Sequence, residues 1–275
     1  MGLGLFIAFL WALSCALSPT AAAGKVTYPV TFEVDLVFPG NDTYAPAPVF
    51  PVVFAAQNLA AAWPTTEILL SWSLLDMDRR LFEENSTILP NTNSSDPYYI
   101  NGWTGGLNTT VPAGTYVLEW GISYNDCPDS RGNTGRFTRD YLIFTIEHDA
   151  QQPDLTAVLK TCPVQNTTFA ITGTKPERHT SPSRGVIEAC GIISDTPPPP
   201  ANPCAAKVDS AVASSISAAL TASACAASPP VLTSGCPPPP PDPTPTGDKN
   251  GGSRVAESGI TSALLAGLLL LLVMA

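Results

Sequence analysis

Glu33, Asp35, Glu83, Glu84, Glu119 and Glu147 are the side chains of this sequence best suited to acid–base work. Glycosidic cleavage needs two carboxyl groups at a set separation, one giving a proton and one activating water or attacking carbon. Spacing singles out no such pair here. Glu33 and Asp35 stand two apart on the polar side of an alternating segment, where solvated carboxylates are expected. Glu83 and Glu84 sit beside an Asn-Ser-Thr triplet in a stretch that reads as a loop. A serine nucleophile calls for a G-x-S-x-G turn, which the sequence lacks. His148 and His179 are isolated, no C-x-x-C occurs, and Asp76-Met77-Asp78 matches only the opening of a calcium loop. Oxidative copper chemistry built on an N-terminal histidine fails on ligands, because the expected mature terminus is Gly24-Lys25. No catalytic residue, metal or cofactor is assigned.

Binding rather than catalysis then falls to the aromatics. Trp72 and Trp120 lie in strand-like runs and are expected in the core. Trp103, inside Asn101-Gly102-Trp103-Thr104-Gly105-Gly106, sits in a glycine-rich turn and is the ring to test as a ligand platform stacking on a sugar, against core or turn packing as the commoner fate of such a ring.

The ends of the chain predict where such binding would occur. Residues 1–23 are apolar through Leu17 and close on small residues, the pattern of a secretory leader cut before Gly24. At the other end, Asn250-Gly251-Gly252 is followed by a polar spacer and the tail ALLAGLLLLLVMA. Small triplet, spacer and apolar tail together signal transfer to glycosylphosphatidylinositol (GPI), at Asn250 or, second, Gly251, with residues 251–275 removed. The expected location is the outer face of the plasma membrane, with possible transfer to the cell wall as a further step. A net charge of −10 gives no basic patch, which disfavours nucleic acid as a partner. Acidic surface is also repelled by anionic lipid, so the expected membrane attachment is covalent.

Export makes sense of the cysteines and asparagines. Six of the seven cysteines follow the leader, an even set that reads as three disulfides. Five N-x-S/T sequons are expected glycan acceptors: Asn41, Asn85, Asn93, Asn108 and Asn166.

The positioning elements are strands. Val26, Tyr28, Val30, Phe32, Val34, Leu36 and Phe38 alternate with polar residues, predicting a half-buried strand that Pro29 makes an edge or a broken one. Further strands are predicted at 48–54, 67–74, 115–124, 140–147 and 168–172, separated by Gly, Pro and Asn turns. Short strands and no long amphipathic helix before residue 180 predict an antiparallel, immunoglobulin-like β-sandwich over 24–195. After Pro197–Pro200, Asn202 is the predicted N-cap and Pro203 a first-turn residue of a helix of roughly twenty residues. Such a helix holds Cys204 and Cys225 too far apart to bridge. The expected pairs are therefore Cys127–Cys162, Cys190–Cys225 and Cys204–Cys236, the helix forming a disulfide-tied appendage over 196–236. The proline-rich 237–250 is expected to stand as an extended stalk.

The segments Thr27–Asn58 (TYPVTFEVDLVFPGNDTYAPAPVFPVVFAAQN), Ala113–Cys127 (AGTYVLEWGISYNDC) and Asn202–Leu220 (NPCAAKVDSAVASSISAAL) resemble a family of secreted fungal proteins known only as a domain of unknown function. The resemblance covers most of 24–236 and implies a fungal, extracellular, often lipid-anchored protein. It brings no activity and no functional residues. The expected role is structural or adhesive in the wall, or binding of an external polysaccharide or protein. The rival is a wall-modifying glycoside hydrolase whose carboxylates converge only in the fold.

Overall fold

The structure, a computed structural model, describes residues 26–62, 67–90, 97–125, 127, 135–159, 161–181, 185–194 and 200–238. Of residues 179–181, 185, 187 and 188 the backbone alone is described. The leader, most of the stalk, the attachment residues Asn250 and Gly251, Asn93 and the His179 side chain lie outside the described residues.

The chain is mainly β. In order it forms β1 (Val30–Phe38), β2 (Thr43–Tyr44), β3 (Phe50–Gln57), the single turn α1 (Leu59–Ala62), β4 (Ile68–Asp76), β5 (Leu81–Ile88) and β6 (Tyr98–Thr104). There follow β7 (Gly114–Asn125), β8 (Gly135–Phe137), β9 (Asp140–Ile146), β10 (Gln165–Ser181), β11 (Gly185–Ile193) and the helix α2 (Ser210–Ala226). One sheet runs β11-β10-β1-β3-β6; the other runs β2-β9-β7-β4-β5, with β8 also on β7. The short β2–β9 pair is parallel, whereas the neighbouring β7–β9 and β4–β7 pairs are antiparallel.

Alternation sets which face each strand buries. In β4, Ile68, Leu70, Trp72 and Leu74 point inward while Ser71 and Ser73 point out. The two inner faces share one core, with Phe54 of β3 against Trp120 of β7 at 5.3 Å between ring centres and Phe50 stacked on Phe144 of β9 at 5.5 Å. Each such large side chain removed from water contributes about 1.5–3 kcal/mol.

The predicted strands all appear; the first is broken at Pro29, so that β1 begins at Val30, and β1 is not an edge. It lies between β10 and β3, with Phe32 opposite Phe169 and Glu33 opposite Gln57. Its outer face is covered as well, by the segment around Asn202–Val208, so Glu33 and Asp35 are buried rather than solvated. Sequence reasoning missed β5, β6 and β11, and the short β2 and β8.

The helix starts later than expected. Pro203–Ala206 is a separate 3-10 turn, Lys207 is extended, and Asp209 is the cap, its carboxylate accepting from the Val212 N–H at 2.8 Å. Asn202 makes no side-chain cap bond. Ala213, Ile216, Leu220 and Ala224 form the buried stripe.

That break re-pairs all the cysteines. Cys127–Cys162, Cys190–Cys225 and Cys204–Cys236 are replaced by Cys127–Cys190, Cys162–Cys204 and Cys225–Cys236. The Cys127 N–H bonds the Gly191 carbonyl, which sets Cys127 beside β11, its Cα 5.1 Å from that of Cys190. Cys204, free of the helix, meets Cys162. The chain after α2 folds back, Val231 N–H to Ala224 carbonyl at 3.1 Å and Gly235 at φ 75°, so Cys225 closes on Cys236 locally.

Candidate functional site: a polar groove on an outer sheet face

Register across the second sheet lines up the outward residues of three strands. Ser73 of β4 is opposite Glu84 of β5 on one side and Glu119 of β7 on the other. The next outward row is Ser86, Ser71 and Gly121. Small hydroxyl residues thus floor a groove of about 420 Å³. Its walls include Glu84, Glu119, Phe137 and Arg139.

One wall exists because of a single glycine. Between β8 and β9 the register on β7 is kept, and the Thr138 N–H bonds the Ile122 carbonyl at 2.9 Å. The Thr138 carbonyl then lies over Gly121, where an added Cβ would meet it at 2.0 Å. That register sets Arg139 opposite Gly121 and on the same side of the sheet as Phe137, two residues away. Arg139 thus lies on the outer face, its guanidinium 5.5 Å from the centre of the Phe137 ring, which is 55% exposed.

Charge is arranged unevenly around the groove. Arg79, from the Asp76–Arg80 hairpin turn, pairs with the Glu119 carboxylate, whose side chain is 18% exposed. Glu84 is open to solvent on edge strand β5. Successive strands lie about 4.8 Å apart, so these two carboxylates stand on strands roughly 10 Å apart. The groove therefore offers hydroxyls, two acceptor carboxylates, a guanidinium and one exposed ring to a ligand rich in hydroxyl groups.

A second polar cluster is closed. Glu33 and Asp35 are 3% and 0% exposed. The Gln57 amide donates to Asp35 Oδ2 at 2.8 Å and to the Asn202 carbonyl at 3.0 Å, while the Asn202 N–H donates to Glu33 Oε2 at 2.8 Å. Burial first, and then Glu33 alongside, push the Asp35 carboxyl up to about 7 against the opposing Gln57 bond. No ligand reaches this pair, which excludes it as an open catalytic dyad.

Trp103 is not in a turn. It lies on β6, half-buried, and its indole N–H donates to Ser223 Oγ of α2 at 3.1 Å. That contact ties the ring to the helix, which argues against a free stacking platform. Glu83 accepts from the Thr104 hydroxyl, whereas Glu147 and His148 are exposed beyond β9. Among the sequons, Asn41 is exposed in the β1–β2 turn and Asn85 on edge strand β5. Asn108 is half-buried, with Thr110 N–H and hydroxyl both on its Oδ1, and Asn166 is half-buried opposite Asp35. The groove was missed in the sequence because β5 reads as polar loop; the alternation of Ser71, Ser73, Glu119 and Gly121 with buried residues was its only trace.

The family model "Domain of unknown function (DUF7136)" matches residues 27–234. The chain belongs to this family. Membership carries no activity, and no curated protein matches the chain.

Proposed function

We propose that this member of the family is a surface-displayed binding module that holds hydroxyl-rich glycan in the groove of its outer sheet face. The observation that carries the reading is the register-aligned row Glu84–Ser73–Glu119 beside Ser86–Ser71, walled by Arg139 and Phe137. Carboxylates and serines accept and donate to sugar hydroxyls, and an exposed ring covers a sugar face. The signals at residues 1–23 and 250–275 support display on the outer membrane face through a GPI lipid, with glycans on the sequons and a role in the wall of a fungal cell. The two packed sheets are read as an immunoglobulin-like sandwich. Tyr116, near the start of β7, supports this by donating its hydroxyl to the Pro112 carbonyl at 2.8 Å, like the tyrosine corner of that architecture.

A glycan array probed with the mature chain lacking its apolar tail tests this, scored for retention and for released product. Retention without product, lost in Ser73→Arg, supports the binding reading. The rival is a glycoside hydrolase using Glu84 and Glu119, whose strand spacing lies near the upper end of the separation inverting enzymes use. Product release abolished by Glu84→Gln and Glu119→Gln would establish that rival. Neither retention nor product would leave a structural role in the wall.

A further inference from the structure

The closed cluster suggests a function separate from the groove. Residues 200–207 form a strap over the outer face of β1 and β3, tethered by Cys162–Cys204 and leading into α2. Two side chains grip its backbone from below: Glu33 takes the Asn202 N–H and Gln57 bonds the Asn202 carbonyl. Tyr99 of β6 adds a third grip, its hydroxyl within 3.3 Å of the Ala206 carbonyl and 3.2 Å of that of Lys207.

Under this strap two oxygens, Glu33 Oε1 and Asp35 Oδ1, are buried and have no donor among the described residues. Leaving a buried polar atom without a partner costs about 1–3 kcal/mol, and more when it is charged. Two ionised carboxylates side by side in low dielectric repel, so one of a pair is held protonated, as in other buried carboxyl dyads. A single proton cures both defects, because a protonated Asp35 donates to Glu33.

We propose that Glu33 and Asp35 form a proton-operated latch that holds the 200–207 strap closed while the pair carries a proton and loosens it when both carboxyls are ionised. The groups facing Asp35 are Glu33 on its own strand, Gln57 on β3, Asn166 and Thr168 on β10, Asn202 of the strap and Tyr99 on β6, with Asp209 near Tyr99 at the helix cap. Within this group there is no cation to balance a second negative charge. Ionised Asp35 therefore adds charge beside Glu33, and the strap can relieve it by lifting and admitting water while Cys162–Cys204 keeps it within reach. The raised Asp35 carboxyl places the change at about pH 7, with the closed form on the acid side. Helix α2 keeps its apolar stripe in either state.

Hydrogen exchange on the full chain, corrected for the intrinsic pH dependence of exchange, tests the latch. Protection of the 201–207 amides is expected to fall at least roughly tenfold between pH 5 and pH 8, while that of 210–226 holds. Asp35→Asn keeps the shape and offers Glu33 a permanent donor, so its strap is expected to stay protected at pH 8. Infrared spectra of the unaltered chain supply a readout independent of the variant's folding. They are expected to show a buried protonated carboxyl at pH 5 that disappears by pH 8. Unchanged strap protection across that range, an equal loss in Asp35→Asn, or no such carboxyl band would overturn the proposal.

Discussion

The backbone carbonyl of Thr138 occupies the space that a side chain on Gly121 would need, with 2.0 Å between that oxygen and an added Cβ. The contact is backbone on backbone, so no rotamer change relieves it. Gly121→Ala is expected to push the Thr138–Arg139 segment off β7 and cost about 1–3 kcal/mol, the range of a forced overpacking. Chemical denaturation measures the loss. Glycan retention should fall with it, since Arg139 leaves the groove wall.

Stability should depend on pH in the direction opposite to that of carboxylates held ionised by ion pairs or hydrogen bonds. Asp35 takes up its proton more readily when folded, so the folded chain binds more protons than the unfolded one between about pH 4 and pH 7. Its stabilisation is complete below the unfolded value of 3.8 and is lost as pH rises through about 7. At about 1.4 kcal/mol per unit this amounts to on the order of 4 kcal/mol. Urea titrations across that range should show the decline in the unaltered chain and a nearly flat line in Asp35→Asn.

Non-reducing peptide mapping should recover Cys127–Cys190, Cys162–Cys204 and Cys225–Cys236. Replacing Cys162 and Cys204 together by serine opens a loop whose ends are 42 residues apart and should lower stability by about 2–4 kcal/mol. Finding Cys204 joined to Cys236 instead would mean that α2 begins before Asp209.

Trp103→Phe removes one hydrogen bond to Ser223 and keeps most of the apolar ring. The expected cost is about 1 kcal/mol in thermal or chemical unfolding. Glycan retention should not change, because the ring belongs to the β6–α2 contact; a loss of retention at full stability would restore Trp103 as a ligand platform.

Strands whose apolar residues alternate were readable directly, as Ile68, Leu70, Trp72 and Leu74 show. β5 was not, since LFEENSTI lies on a sheet edge where both sides meet water and no face is selected for burial. Glu33 and Asp35 misled for a related reason: alternation reports that one face differs from the other, not whether a distant segment covers it. The covering residue, Asn202, is 169 positions from Glu33. The cysteine pairing failed at Asp209, a better cap than Asn202 because its carboxylate reaches the Val212 N–H. The groove needed three strands in register, which no single stretch of sequence displays.

Pairing β1 with β10 also governs the order in which the molecule can be completed during synthesis. When β1 and β3 have emerged from the ribosome, one flank of β1 has no neighbour until the strand beginning at Gln165 arrives. Until Asn202 follows, the face of β1 that carries Glu33 and Asp35 has no strap over it. A nascent chain stopped before the strap would thus present an open strand flank and an uncovered pair of acids, and only the last quarter of translation seals them.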